Sequence, residues 1–252
     1  MIVRQPFDWD GILAWLAARA IPGVERVEEG AYVRGGVRVR YDGEVQVTHA
    51  PSPGAARHPL PASGARGNAG SASPRVRGRV RRLFDVDHDP APMHAVLSRD
   101  AMLAPLLRKR PGVRVPGAWD PFELMVRAVV GQQISVAGAR TILGRIAATH
   151  GLDPHALAEV TLDGMPRKRA ETIRLLATEV ASGRDVKLED IPGIGPWTAN
   201  YIRMRLGDRD AFPAGDLVLR RNAGNLTERE LAGRAEVWRP FRAYAAMLLW
   251  MG

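Results

Sequence analysis

The 252-residue chain reads as an α+β protein, with a small N-terminal unit of one helix and an antiparallel sheet followed by a mostly helical domain. Three observations carry this reading. From Asp8, the run DWDGILAWLAARA places apolar residues at helical spacing behind an acidic start and stops near Pro22-Gly23, which predicts one amphipathic helix. The stretches VERVEEG, AYVRGGVRVRYDG and EVQVTHA then alternate apolar and polar residues across Gly-rich turns, the pattern of a small antiparallel sheet. After Asp85, apolar residues recur at intervals of three and four, broken at Pro111-Gly112, Pro116-Gly117, Gly151, Gly183 and Pro192-Gly193, which predicts helix after helix. The expected division is residues 1–88 and 89–252.

The connection between the two parts has a different character. From His49 to Pro74 it is Pro, Gly, Ala and Ser with almost no apolar anchor. Such a composition buries too little surface to offset the entropy of ordering, so residues 49–77 are expected to be flexible. Arg66, Arg75, Arg77, Arg79, Arg81 and Arg82 follow without an intervening acid and read as a solvated, charged linker.

Composition narrows the function. A formal net charge of +9 favours a polyanionic partner, because Lys and Arg release counterions from phosphate on contact, and leaves nucleic acid and anionic membrane both open. The absence of cysteine removes disulfides, zinc-thiolate sites and cysteine-bound iron–sulfur clusters. Residues Met1 to Ala20 carry Asp8, Asp10 and two tryptophans in place of a basic start and a clean apolar run, so neither a signal peptide nor a membrane span is read there. A soluble, cytoplasmic, monomeric protein is expected.

The most informative stretch is LEDIPGIGPWTANYIRMRLG, Leu188 to Gly207. Its Pro-Gly-Ile-Gly-Pro run, Pro192 to Pro196, lies between two helical patterns, and the two glycines allow a tight hairpin with outward-pointing backbone N–H groups. Pro196 suits a first helical position, and exposed amides at a helix N-terminus bind an anion such as a DNA phosphate. With this hairpin, and with PFDWDGILAWLAARA, RRLFDVDHDP, RPGVRVPGAWDPFELMVRAVVGQQISV, GMPRKRAETI and AEVWRPFRAYAAMLLW in the same order, the chain resembles the helix-hairpin-helix DNA glycosylases, and within them the DNA-3-methyladenine glycosylase II type. The resemblance implies a helix-hairpin-helix core, double-stranded DNA containing alkylated bases as partner, and hydrolysis of the N-glycosidic bond of a flipped-out alkylated purine.

Asp216, between Gly215 and the apolar Leu217-Val218-Leu219, is a good helix N-cap by its own sequence. The resemblance gives it the role of the essential carboxylate placed against the sugar of the flipped nucleotide. Loss of the base leaves positive charge on the sugar, which an anion stabilises, and an N3- or N7-alkylated purine departs as a neutral base without a general acid. Trp197 and Tyr201, four apart on one helix, share a face on which an electron-poor base can stack. In the last helix Trp238, Phe241, Ala245, Leu248 and Leu249 form one stripe, with Trp250 off it. The resemblance places Trp15, Trp197, Tyr201 and Trp250 around the base, with Leu217 where the family often has an aromatic. Cation–π attraction to these faces predicts a preference for cationic bases over neutral ones such as hypoxanthine.

The resemblance also gives Gln132, Gln133, Ser135, Gly193, Ile194, Gly195 and Thr198 to DNA contact, with Gln133 at the position that fills the gap left by the flipped base. It gives the main-chain carbonyls of Glu189, Ile191 and Ile194 to a monovalent cation such as Na⁺ or K⁺. Lyase members of the family carry a lysine nucleophile where Trp197 stands here, which implies hydrolysis without strand cleavage. Two alternatives stand further off. A non-catalytic helix-hairpin-helix DNA-binding protein would leave Asp216 and the aromatic set without a purpose, and a membrane-surface protein needs an apolar face that the basic segment lacks.

Overall fold

The computed structural model describes residues 1–49 and 72–252. Helix α1, Trp9–Arg19, is capped by Asp8, whose carboxylate accepts from the Gly11 amide. Four strands follow as a meander, β1 Glu25–Glu28, β2 Ala31–Arg34, β3 Val37–Asp42 and β4 Glu44–His49, each antiparallel to the next. Alternation decides their facing, with Val37, Val39 and Val45 buried between less buried neighbours. This is the predicted sheet, and the small sheet followed by helices matches the α+β expectation.

The segment expected to be flexible falls mostly on residues 50–71, and Arg66 with it, outside the described residues. The arginine run after it is not a linker. Residues Pro74–Leu83 form α2, capped by Ser73, whose hydroxyl accepts from the Val76 amide. Val80 and Leu83 are buried against the core, and that anchor holds a basic segment in a helix where charge alone would leave it solvated.

The remaining helices are α3 Pro90–Leu97, α4 Leu103–Lys109, α5 Pro121–Val130, α6 Val136–His150, α7 Pro154–Glu159, α8 Arg167–Ala181, α9 Pro196–Arg205, α10 Leu217–Asn222, α11 Glu228–Arg234 and α12 Arg242–Met251. None among the described residues is long and apolar enough to cross a membrane. They surround two cores. One joins α1, the sheet, α2 to α4 and α10 to α12, and the other joins α5 to α9. The first core therefore draws residues from both sides of residue 88, with Trp15 of α1 packed on Trp250 of α12. Tyr201 packs against both cores, and the cleft between them holds a cavity.

Candidate active site

Asp216 stands at the N-cap of α10, as its sequence predicts. Its Oδ1 accepts from the amides of Val218 and Leu219, both at 2.9 Å. Two indoles complete the set: Trp250 Nε1 donates to Oδ1 at 3.0 Å and Trp197 Nε1 to Oδ2 at 3.1 Å. Four N–H donors from three helices thus fix one carboxylate. Helices α10 and α12 are held in register by Asn222, whose amide donates to the Leu249 carbonyl at 2.7 Å.

The carboxylate lies on the wall of a cavity of about 360 Å³. Trp15, Trp197, Tyr201 and Trp250 line it together with Asp216, so the structure brings these five expected residues to one place. Trp197 and Tyr201 stack at 5.8 Å with planes 11° apart, Trp15 packs on Trp250 at 5.5 Å, and Tyr201 meets Trp250 edge-on at 6.2 Å. Leu217 does not join them. It is 71% exposed and outside the lining, while Val218 contributes instead. With Asp216 as the cap, the first helical residue turns outward and the next, about 100° further round, faces the cleft.

Several arginines line the same cavity, which sequence reasoning missed. Arg34 and Arg127 form a partly buried network with Glu25 and Glu123. Burial opposes ionisation of Glu123, but bonds to Arg34 and the charge of Arg127 outweigh it and hold its pKa below the usual range. Arg205 donates to the carbonyls of Pro116 and Gly117 and, at 2.6 Å, to the Tyr201 hydroxyl. Burial alone would raise the Tyr201 pKa; the charges of Arg205 and Arg19 reverse that, and it lies below its usual value. Arg19 and Arg205 each stand four residues after a lining aromatic, Trp15 and Tyr201, so the spacing was visible. In a chain this rich in arginine it carried no distinguishing signal.

The hairpin stands beside the cavity. Ile191 and Ile194 are buried in the second core, while Pro192, Gly193, Gly195 and Pro196 are exposed. A single internal bond, from the Ile194 amide to the Ile191 carbonyl at 3.0 Å, closes the turn. Only one of the two glycines is conformationally required: Gly193 has φ 93°, and a Cβ there would come within 2.2 Å of the Thr172 hydroxyl, whereas Gly195 is in the ordinary region with open space around it. Among the described residues the amides of Gly193, Gly195, Trp197 and Thr198 donate to no acceptor, which leaves a row of N–H groups at the N-terminus of α9.

Gln132 turns inward. Its side-chain NH₂ donates to the Gly193 carbonyl at 2.8 Å and to the Thr198 hydroxyl at 3.0 Å, and its main-chain carbonyl accepts from Arg169 at 2.6 Å. Its side-chain NH₂ therefore braces the hairpin. Gln133 projects from the same turn with φ 56° and is exposed, and Ser135 caps α6 by accepting from the Gly138 amide.

A glycine hairpin with free amides at the N-terminus of α9, beside an aromatic cleft with the Asp216 carboxylate on its wall, is the arrangement of the helix-hairpin-helix glycosylase class. The fold agrees: a 3-methyladenine DNA-glycosylase from Archaeoglobus fulgidus superposes with a TM-score of 0.77 over 99% of this chain and 96% of its own, at 18% identity. Residues 1–120 match the family described as the AlkA N-terminal domain. The chain is 33% identical to DNA-3-methyladenine glycosylase 2 of Escherichia coli, across 98% of this chain and 94% of that protein, and it belongs to the DNA-3-methyladenine glycosylase 2 (AlkA) family. It is 36% identical to a probable bifunctional transcriptional activator/DNA repair enzyme AlkA of Mycobacterium tuberculosis, across 98% of this chain, and spans 55% of the length of that relative.

Proposed function

We propose that this protein is a monofunctional DNA glycosylase of base excision repair that hydrolyses the N-glycosidic bond of flipped-out alkylated purines, 3-methyladenine and 7-methylguanine among them, and leaves an abasic site in duplex DNA. The observation that carries this reading is Asp216, held by Trp197, Trp250 and two helix amides on the wall of an aromatic cavity. The carboxylate faces the sugar and stabilises the charge that develops there as the base leaves, and the same group orients water for attack at the sugar carbon. Trp197, Tyr201, Trp250 and Trp15 enclose the base. Duplex DNA is fixed through phosphate by the free amides of Gly193, Gly195 and Thr198. Gln133, exposed at its turn, fills the gap left by the flipped nucleotide.

In place of a lysine nucleophile stands Trp197, whose indole N–H is engaged with Asp216. The reaction therefore stops at the abasic strand. A monovalent cation at the hairpin fits the donor set. The carbonyls of Glu189 and Ile194 accept no hydrogen bond from other described residues, and Ile191 supplies the third oxygen. Such a cation would add positive charge next to the phosphate.

The test is release of methylated purines from alkylated duplex DNA, followed by alkali to reveal uncut abasic sites. Base release with alkali-dependent cleavage supports the reading. Borohydride trapping of a protein–DNA adduct in good yield contradicts the monofunctional part, and failure to release any methylated purine contradicts the whole.

A further inference from the structure

The cavity presents more hydrogen-bond donors than free acceptors. Asp216 already takes four N–H groups, Asp120 caps α5 by accepting from the Glu123 amide, and Glu25 and Glu123 are engaged by Arg34 and Arg127. Trp15 Nε1 is buried without an acceptor. Among the lining arginines, Arg205 is tied to two carbonyls and the Tyr201 hydroxyl, and Arg140 donates to the Ala20 carbonyl at 2.9 Å.

Arg19 is different. Its guanidinium carbon sits 3.3 Å from the centroid of the Trp15 ring. Among the described residues no carboxylate pairs with it; it donates to the Trp15 carbonyl over a long 3.4 Å and is otherwise met by the Tyr201 hydroxyl. A guanidinium carries five donors and stays charged, so most of what Arg19 can donate is left for a ligand. Burial depresses its pKa, as poor hydration requires, while the charges of Tyr201 and Asp216 oppose that fall.

Resting on the glycosylase reading above, we propose that Arg19 is a specificity-determining residue of the base pocket, donating to an acceptor edge of the flipped purine and favouring neutral 6-oxopurines over bases that already carry a positive charge. The chemistry follows from where the electrons go. Hydrolysis breaks the bond between the sugar C1′ and the purine nitrogen, the pair stays on the purine, and water bonds to C1′ and gives up a proton. A cationic alkylpurine becomes a neutral base by this step. A neutral oxopurine becomes an anion, which then takes a proton from water, and a guanidinium beside it stabilises that anion as it forms. The same charge repels a cationic base. It therefore acts against the cation preference expected from the faces of Trp197, Tyr201 and Trp250.

The experiment compares single-turnover release of hypoxanthine and of 7-methylguanine from duplex DNA by the wild type, Arg19→Gln and Arg19→Lys. Arg19→Gln shifts the ratio of the two rates against hypoxanthine by about tenfold or more, the scale of one charge-assisted hydrogen bond, and Arg19→Lys restores most of that ratio. Arg19→Met, which still covers Trp15 but carries no charge, gives the same shift as Arg19→Gln and serves if the glutamine variant does not fold. Equal losses on both bases would show that Arg19 only supports Trp15, and would overturn the proposal. A wild type that releases 7-methylguanine but no hypoxanthine overturns it while the glycosylase reading stands. A wild type that releases neither removes both.

Discussion

The indole N–H of Trp250 donates to Oδ1 of Asp216 at 3.0 Å, across 34 residues of sequence. Trp250 thus positions the carboxylate and also forms part of the cavity wall, and Trp197 does the same from the other side at 3.1 Å. Trp250→Phe keeps a ring and removes the donor. We expect a loss of about tenfold in single-turnover rate, the value of one hydrogen bond to a charged group, because the defect lies at the sugar. An unchanged rate would show that the indole only packs.

Asp216→Asn is expected to lower base release by at least about 10²-fold, since the anion facing the cationic sugar is gone. An asparagine that keeps its oxygen at the N-cap also turns an NH₂ group toward the Trp197 N–H, which sets donor against donor. Binding to lesion DNA in a gel-shift assay is expected to persist. Near-normal turnover would remove Asp216 from the mechanism.

The two hairpin glycines separate conformation from contact. Gly193→Ala forces a side chain into a left-handed backbone and against Thr172, and should lower thermal stability together with DNA affinity. Gly195→Ala has open space and an ordinary φ, so it should fold normally and, on the proposed contact of the amide row with phosphate, weaken binding to lesion and undamaged duplexes alike. A defect confined to lesion DNA would move Gly195 into the pocket.

Away from the site, Asp85 is buried beside Tyr244, whose hydroxyl donates to Oδ2 at 2.8 Å while the Val115 amide reaches the same oxygen. Burial pushes the Asp85 pKa up to about 6, against bonds from Tyr244 and Val115 that lower it. A carboxyl raised above its unfolded value destabilises the fold above pH 6 and ceases to do so below about pH 4. Asp85→Asn keeps one acceptor oxygen and loses the charge. Its melting temperature should therefore exceed the wild type at pH 8, by the equivalent of roughly 2–3 kcal/mol for two pKa units, and the difference should vanish near pH 4. His88, stacked on Tyr244 at 4.1 Å and depressed by burial to about 3, works the other way: both variants lose stability as pH falls below 6.5, where the unfolded chain takes up its proton. A constant gap between the variants from pH 4 to 8 would refute the Asp85 assignment.

What the sequence by itself determined is local. Alternation marked the four strands, helical spacing marked α1 and the helices after Asp85, the Pro-Gly-Ile-Gly-Pro run marked the hairpin, and Gly-Asp before an apolar run marked Asp216 as a cap. Each of these depends on neighbours within a few residues, which the chain states directly. Only the tertiary structure decided that Trp197 and Trp250 meet at one carboxylate, that Gln132 braces the hairpin while Gln133 projects, and that Val218 replaces Leu217 in the wall. It also decided that α12 completes the core of the N-terminal sheet and that Arg19 is left without a carboxylate among the described residues. Periodicity says which residues share a face, and says nothing of which faces from distant elements will pack together. In an arginine-rich chain it also cannot separate the guanidinium that lines a cavity from the many that face water.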